Sequence, residues 1–138
     1  MISMSQTFLM MIGVGGLFIV LAFPLIRRQV PPNQWYGLRL AATEDNEWVW
    51  YEANVKLGKA MLVLGSAVSL TTIVGPLIPG TTELQYFLAT HGVFVVGGFF
   101  CLVWTMMKMV ATQEEYERRV RNGESVEPVK SDDGADQP

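Results

Sequence analysis

The residues of this chain that could do chemistry lie mostly between positions 30 and 59. Three of the four tryptophans and two of the four tyrosines fall within a stretch of seventeen residues there. The amide, guanidinium and aromatic side chains concerned are Asn33, Trp35, Tyr36, Arg39, Trp48, Trp50, Tyr51 and Asn54. Such groups form hydrogen bonds and stack on flat partners. The pattern therefore indicates structural stapling or recognition.

These two interpretations both fit the cluster. Aromatic residues favour the membrane interface, but an aromatic belt does not account for Asn33, Gly37, Arg39 and Asn54. In the first interpretation, Arg39 and the two asparagines cap helix ends and staple a loop to its neighbouring helix, since the guanidinium fork suits backbone carbonyls or a carboxylate. In the second, the cluster is a surface that binds a partner. The two interpretations are compatible.

Catalytic motifs are missing from the sequence. It contains no metalloprotease helix, no phosphate-binding loop and no paired-cysteine metal motif. The single histidine, His91, and the single cysteine, Cys101, both lie in an apolar segment, where we expect them to be packing residues. The alternative for His91 is a proton- or ligand-linked site. We therefore predict a protein that is not an enzyme, with no catalytic residue, no metal and no cofactor.

Three apolar runs determine the predicted fold class. Residues 8–26, 60–78 and 87–107 contain no Asp, Glu, Lys or Arg. A helix of about 20 such residues crosses the hydrocarbon core of a bilayer. A soluble helical bundle would instead show polar residues at every third or fourth position. We predict an all-α membrane protein with three transmembrane helices and an interfacial amphipathic helix in the first loop.

The basic residues predict the orientation. All ten Lys and Arg residues lie either between the first two apolar runs or after the third. The positive-inside rule then places the first loop and the C-terminus in the cytoplasm, and the N-terminus and second loop outside. The formal net charge of −3 arises mainly from the C-terminal segment, which holds eight of the thirteen acidic residues. We expect no nucleic-acid partner.

These assignments divide the chain into three predicted segments. Residues 1–110 form a three-span membrane domain, with a motif loop over 27–59. Thr43 is predicted to cap the interfacial helix, because Glu44, Asp45 and Glu47 follow it. A short cytoplasmic helix is predicted over 111–123, starting with a Thr112–Glu115 capping box. Residues 124–138 are predicted to be a disordered acidic tail.

The motif loop resembles the SdpI family, bacterial membrane proteins named for immunity to a sporulation-delay toxin. The resemblance covers about residues 28–59 and rests on a Pro-x-Asn-x-x-Tyr/Phe-Gly-x-Arg-Thr-x-x-Thr pattern followed by Trp-x-x-x-Asn and a Gly-Arg/Lys pair. Leu40 and Ala41 depart from it, since the family often has Thr and Pro there. The candidate partner-binding or motif residues are Pro32, Asn33, Tyr36, Gly37, Arg39, Thr43, Trp50, Asn54 and Gly58, with Pro31 and Lys59 also matching.

The resemblance implies a multi-pass protein of the bacterial cytoplasmic membrane. The best-described relative confers immunity to a secreted peptide toxin and holds a transcriptional repressor at the membrane when toxin is bound. That relative has additional spans ahead of the shared region, so this chain is similar to the shared C-terminal-type domain alone. The implied partners are the lipid bilayer, a peptide toxin outside and a cytosolic regulator inside. The second hypothesis is an accessory or structural subunit of a larger membrane complex or homo-oligomer.

Overall fold

Three long helices make up most of the part of the chain that the structure describes. The computed structural model describes residues 3–38, 43 and 46–126, and all regular structure within them is helical. Helix α1 spans Met4–Ile26, α2 spans Glu47–Val74 and α3 spans Glu83–Arg121, with a short 3-10 helix at Gly75–Leu77. All three helices are long and apolar enough to cross a membrane. The predicted all-α, three-span fold class is confirmed.

Each of the three long helices begins at a side-chain cap that satisfies free backbone N–H groups. Ser3 with Gln6 and Thr82 with Gln85 form reciprocal capping boxes on α1 and α3. On α2, the Asn46 side chain accepts a hydrogen bond from the Val49 amide at 3.1 Å. The prediction that Thr43 caps this helix was wrong, because Asn46 supplies the capping oxygen three residues later.

The predicted interfacial helix and the second span are one helix. The structure shows no break between Glu47 and Val74, so the aromatic first turns of α2 continue directly into its apolar part. At its far end α2 gives way to the 3-10 helix at Gly75, one residue before Pro76. Tyr86 of α3 closes this end, because its hydroxyl donates a hydrogen bond to the Thr72 carbonyl at 2.9 Å.

Helix α2 is the central element, and it packs against both α1 and α3. Small residues allow the backbones to approach closely, as in other membrane helices. A Cβ added at Gly65 would lie 2.7 Å from the Gly15 carbonyl oxygen of α1. On the α3 side, a Cβ added at Gly97 would lie 2.9 Å from Leu64 Cδ1. The buried residues Met11, Leu64 and Val68 form the core between these contacts.

The predicted separate helix over 111–123 is instead the last part of α3. Thr112 lies inside a continuous helix, where its hydroxyl donates to the Lys108 carbonyl at 2.7 Å rather than capping a new helix. The helix ends at Asn122 and Gly123, with Gly123 at a φ of +75°. Of the predicted disordered tail, residues 127–138 lie outside the described residues.

Candidate functional site

Most of the described motif residues lie in or against the segment where the chain leaves α1, which we call the elbow, residues 29–38. Helix α1 ends in a Schellman motif, because Gln29 N donates to Pro24 O at 3.0 Å and Arg28 N to Leu25 O at 3.2 Å. Arg28 takes the left-handed position of this motif, with a φ of +57°. That conformation costs a residue other than glycine about 1–2 kcal/mol. An ion pair between Arg28 and Glu52 of α2 accompanies it.

Asn33 organises the turn of the elbow. Its Oδ1 accepts hydrogen bonds from the Trp35 amide at 2.9 Å and the Tyr36 amide at 2.8 Å. Its Nδ2 donates to the carbonyls of Pro31 at 2.8 Å and Tyr36 at 3.2 Å. The side chain therefore makes four local hydrogen bonds, all to backbone. Asparagine is suited to this position because its amide both donates and accepts.

Two aromatic side chains tether the elbow to the helices on either side. The Tyr36 hydroxyl donates to the Leu21 carbonyl of α1. Burial raises the pKa of the Tyr36 phenol above its ordinary value, so the hydroxyl remains a donor at neutral pH. From α2, the buried Trp50 donates through Nε1 to the Val30 carbonyl at 2.9 Å. The elbow is thus bound to both helices that flank it in sequence.

Asn54 of α2 fixes the far end of the elbow. Its Oδ1 accepts from the Leu38 amide at 2.6 Å, and its Nδ2 donates to the Trp50 carbonyl at 2.9 Å. Gly37 passes directly over this side chain with a φ of +116°. A Cβ added there would lie 2.5 Å from Asn54 Oδ1 and 3.1 Å from the Trp50 ring. Glycine is required at position 37 for both its backbone conformation and its size.

The remaining motif residues do not all lie in the elbow. Thr43 is buried and donates to the Leu38 carbonyl at 2.9 Å, so it is bound to the last residue of the elbow. Gly58 lies apart, at the crossing of α1 and α2, where an added Cβ would be 2.9 Å from the Ala22 carbonyl oxygen. Pro32 is exposed on the elbow. Arg39 lies outside the described residues, so its predicted stapling role stays a prediction.

The outward side of the elbow is dominated by one residue. Trp35 is 93% exposed, whereas Trp50 is only 1% exposed. The family-motif residues mostly face inward and hold the backbone, and Trp35 stands on the surface that they shape. The arrangement is therefore a rigid turn that presents a large amphipathic side chain.

A second group of contacts beside the elbow was missed by sequence reasoning. The Trp48 and Tyr116 rings stack at 5.9 Å with an angle of 30° between their planes, and the Arg119 guanidinium lies 5.6 Å from the Trp48 ring centre. Lys56 donates to the Thr112 hydroxyl. These residues join the first turns of α2 to the last turns of α3. Their partners are distant in sequence, so only the fold brings them together.

Among the described residues, no group of three or more His, Cys, Asp or Glu converges. His91 lies towards the opposite end of the molecule. Its Nδ1 is 2.9 Å from the Phe87 carbonyl oxygen, and its ring stacks on Phe87 at 3.8 Å between centres. These are the contacts of a packing histidine. The side chains of the elbow can form hydrogen bonds and apolar contacts.

Three apolar helices and a hydrogen-bonded elbow between the first two define a small multi-pass membrane protein. The sequence model of the SdpI/YfhL protein family matches residues 29–112, more than half of the chain. The chain belongs to this family. The match begins with the elbow and continues through α2 to Thr112 in α3, well past the resemblance seen over 28–59. A comparison with curated proteins found no match, and neither did a comparison with solved structures.

Proposed function

We propose that this chain is a non-enzymatic, SdpI-like protein of the bacterial cytoplasmic membrane that acts in immunity or signalling. The elbow is its contact surface for a cytosolic regulator, and a peptide toxin acts at the opposite, external end. Family membership supports the class of function. One observation carries the choice of surface: an elbow held by hydrogen bonds to α1 and α2 presents a tryptophan that is 93% exposed.

A rigid elbow suits recognition for an energetic reason. Ordering a flexible loop on binding costs conformational entropy, and a preformed surface avoids most of that cost. Tryptophan is also enriched among residues that contribute most to binding at protein interfaces. The exposed ring of Trp35 would otherwise face the interfacial region of the bilayer, where tryptophan is also favoured. A partner-binding role and an interfacial depth are compatible.

The proposed orientation rests on charge. The elbow lies at the same end of the molecule as the basic residues Lys56 and Arg119, since α2 begins and α3 ends there. The loop at the other end, residues 79–82, contains no Lys or Arg. The positive-inside rule therefore places the elbow in the cytoplasm and the second loop outside.

Photocrosslinking in cells tests the proposed surface. A photoreactive amino acid replaces Trp35, and captured proteins are identified by mass spectrometry. We expect one cytosolic protein to be captured reproducibly. The matched control carries the same amino acid at Leu77, which is 74% exposed at the opposite end and should not capture that protein. Equal capture from both positions, or capture of lipid alone from Trp35, would contradict the proposal.

The alternative function, a subunit of a larger membrane complex, is favoured by a different observation. Helices α1 and α3 both lie against α2 but make little contact with each other. Between them is a groove of about 270 Å³ lined by Phe18, Leu64 and Phe94, among others. A helix from another protein would fit such a groove. Purification in mild detergent separates the two functions, because a constitutive stoichiometric membrane partner would favour the subunit.

A further inference from the structure

A second groove lies on the surface formed by α2 and α3 alone. Its volume is about 360 Å³, within the range of small-molecule binding sites. The side chains that line it come from about one and a half turns of each helix: Lys59, Ala60, Val63, Phe100, Cys101 and Trp104. All but Lys59 are apolar or weakly polar. The groove is therefore an apolar channel with a positive charge at one end.

The sequence places this charge at the edge of the hydrocarbon layer. Lys59 immediately precedes the charge-free run 60–78, and Lys108 immediately follows the charge-free run 87–107. The two helices are antiparallel, so both lysines mark the same side of the membrane. The Lys108 ammonium lies 5.9 Å from the centre of the Trp104 ring, which itself lines the groove. Two ammonium groups are thus associated with one end of the channel.

The rest of the groove extends from that end towards the middle of the membrane. Ala60 and Cys101 are small and form its floor, where Cys101 Sγ is 3.5 Å from the Ala60 carbonyl oxygen. Val63 and Phe100 form its walls and are 67% and 66% exposed. Flexible hydrocarbon fits such a shallow apolar trough. A cationic head end and an apolar body match the two parts of a phospholipid that carries a net negative charge.

We propose that this groove binds an anionic phospholipid, with the phosphate at Lys59 and Lys108 and one acyl chain along Val63, Phe100 and Cys101. A zwitterionic lipid has the same chains and phosphate, but its cationic headgroup is repelled by the two ammonium groups. Basic pockets between transmembrane helices bind anionic headgroups in the same manner. This site is separate from the elbow and does not depend on the proposed partner.

Native mass spectrometry of the full chain in neutral detergent tests this site. The probes are phosphatidylglycerol and phosphatidylcholine with identical acyl chains. We expect phosphatidylglycerol to remain bound preferentially, and Lys59→Gln or Lys108→Gln to weaken its binding by about fivefold each, equivalent to about 1 kcal/mol per basic residue. Arg121→Gln removes the same charge from the exposed end of α3 and should leave binding unchanged.

The apolar part of the site has its own test. Val63→Trp fills the groove from its exposed side and should weaken phosphatidylglycerol binding several-fold, whereas Leu9→Trp on the exposed face of α1 should not. Glycerol phosphate, which has the headgroup but no chains, should not displace the lipid. Equal retention of the two lipids, lysine variants that bind like Arg121→Gln, or displacement by glycerol phosphate would each overturn the proposal.

Discussion

Asn54 shows how much of the elbow depends on a single side chain. It lies on α2 and connects the amide of Leu38 with the carbonyl of Trp50. An aspartate could accept the first hydrogen bond but not donate the second, and a leucine could do neither. Each satisfied bond contributes about 1 kcal/mol, and a buried amide left without a partner costs about 1–3 kcal/mol. The identity of this residue is therefore explained by its two backbone neighbours.

The role of Asn33 can be predicted from the sequence more readily than the role of Asn54. The bonds of Asn33 are local, to residues two or three positions away, so its turn-forming role was predictable from the residue type. Leu38, whose amide donates to Asn54, is sixteen residues away in sequence, and only the docking of the elbow on α2 brings it close. The motif pattern identified Asn54 as a candidate residue, whereas its partner Leu38 could be identified only from the fold.

Gly37→Ala tests whether the elbow depends on close approach at this position. Alanine at 37 must adopt a φ of +116° and place its Cβ 2.5 Å from Asn54 Oδ1. We expect the backbone strain to cost about 1–2 kcal/mol and the overlap to cost about 1–3 kcal/mol more. The measurement is the free energy or midpoint of unfolding of the purified chain in mild detergent, followed by tryptophan fluorescence.

The matched control for Gly37 is Gly80→Ala in the second loop. Gly80 also has a positive φ, of +83°, but nothing lies within 4 Å of an added Cβ. This variant should therefore show the backbone strain alone and lose clearly less stability than Gly37→Ala. Equal losses of stability in the two variants would show that the close approach of position 37 to Asn54 does not add to the cost of an alanine there.

At the scale of elements, charge patterning identified the apolar runs but not where the helices end. Lys108 marks the end of the third apolar run, and the change in composition suggested a new helix after it. Helix continuity depends instead on backbone hydrogen bonds, and nothing between residues 107 and 112 interrupts them, since Thr112 bonds within the same helix. The same reasoning applies to α2, in which one helix passes from an aromatic surface segment into an apolar span.

Tyr116→Ala tests whether the last turns of α3 are held by α2. The variant removes the ring that stacks on Trp48 at 5.9 Å. An aromatic pair contributes about 0.5–1.5 kcal/mol beyond its buried area. We therefore expect hydrogen exchange of the amides in residues 110–121 to become about two- to tenfold faster, measured by mass spectrometry of peptides. Val120→Ala, on the half-exposed face of the same turn, should leave exchange nearly unchanged.

If Val120→Ala accelerates exchange as much as Tyr116→Ala does, the last turns of α3 are held by their own helix and not by the contact with α2. The contact of Arg119 with Trp48 remains in both variants. The comparison therefore isolates the tyrosine ring.

At the scale of the whole molecule, the sequence predicted three spans, and the structure adds how they are arranged. Runs without charge identify lipid-exposed helices directly, because the hydrocarbon excludes charged side chains. The central position of α2 was not predictable, since it depends on which small residues face each other, as Gly15 and Gly65 do. Composition shows that a helix has small residues, but not against which helix those residues pack.

Cysteine labelling tests the proposed orientation of the whole molecule. In a Cys101→Ala background, Gln34→Cys places a thiol on the exposed elbow and Pro79→Cys places one in the exposed second loop. The positive-inside rule puts the first in the cytoplasm and the second outside. A membrane-impermeant maleimide applied to intact spheroplasts should therefore label the thiol at position 79 and leave the thiol at position 34 unlabelled until the membrane is opened, because charged reagents do not cross the hydrocarbon. Labelling of position 34 in intact spheroplasts would reverse the orientation, and it would exclude a cytosolic partner for the elbow.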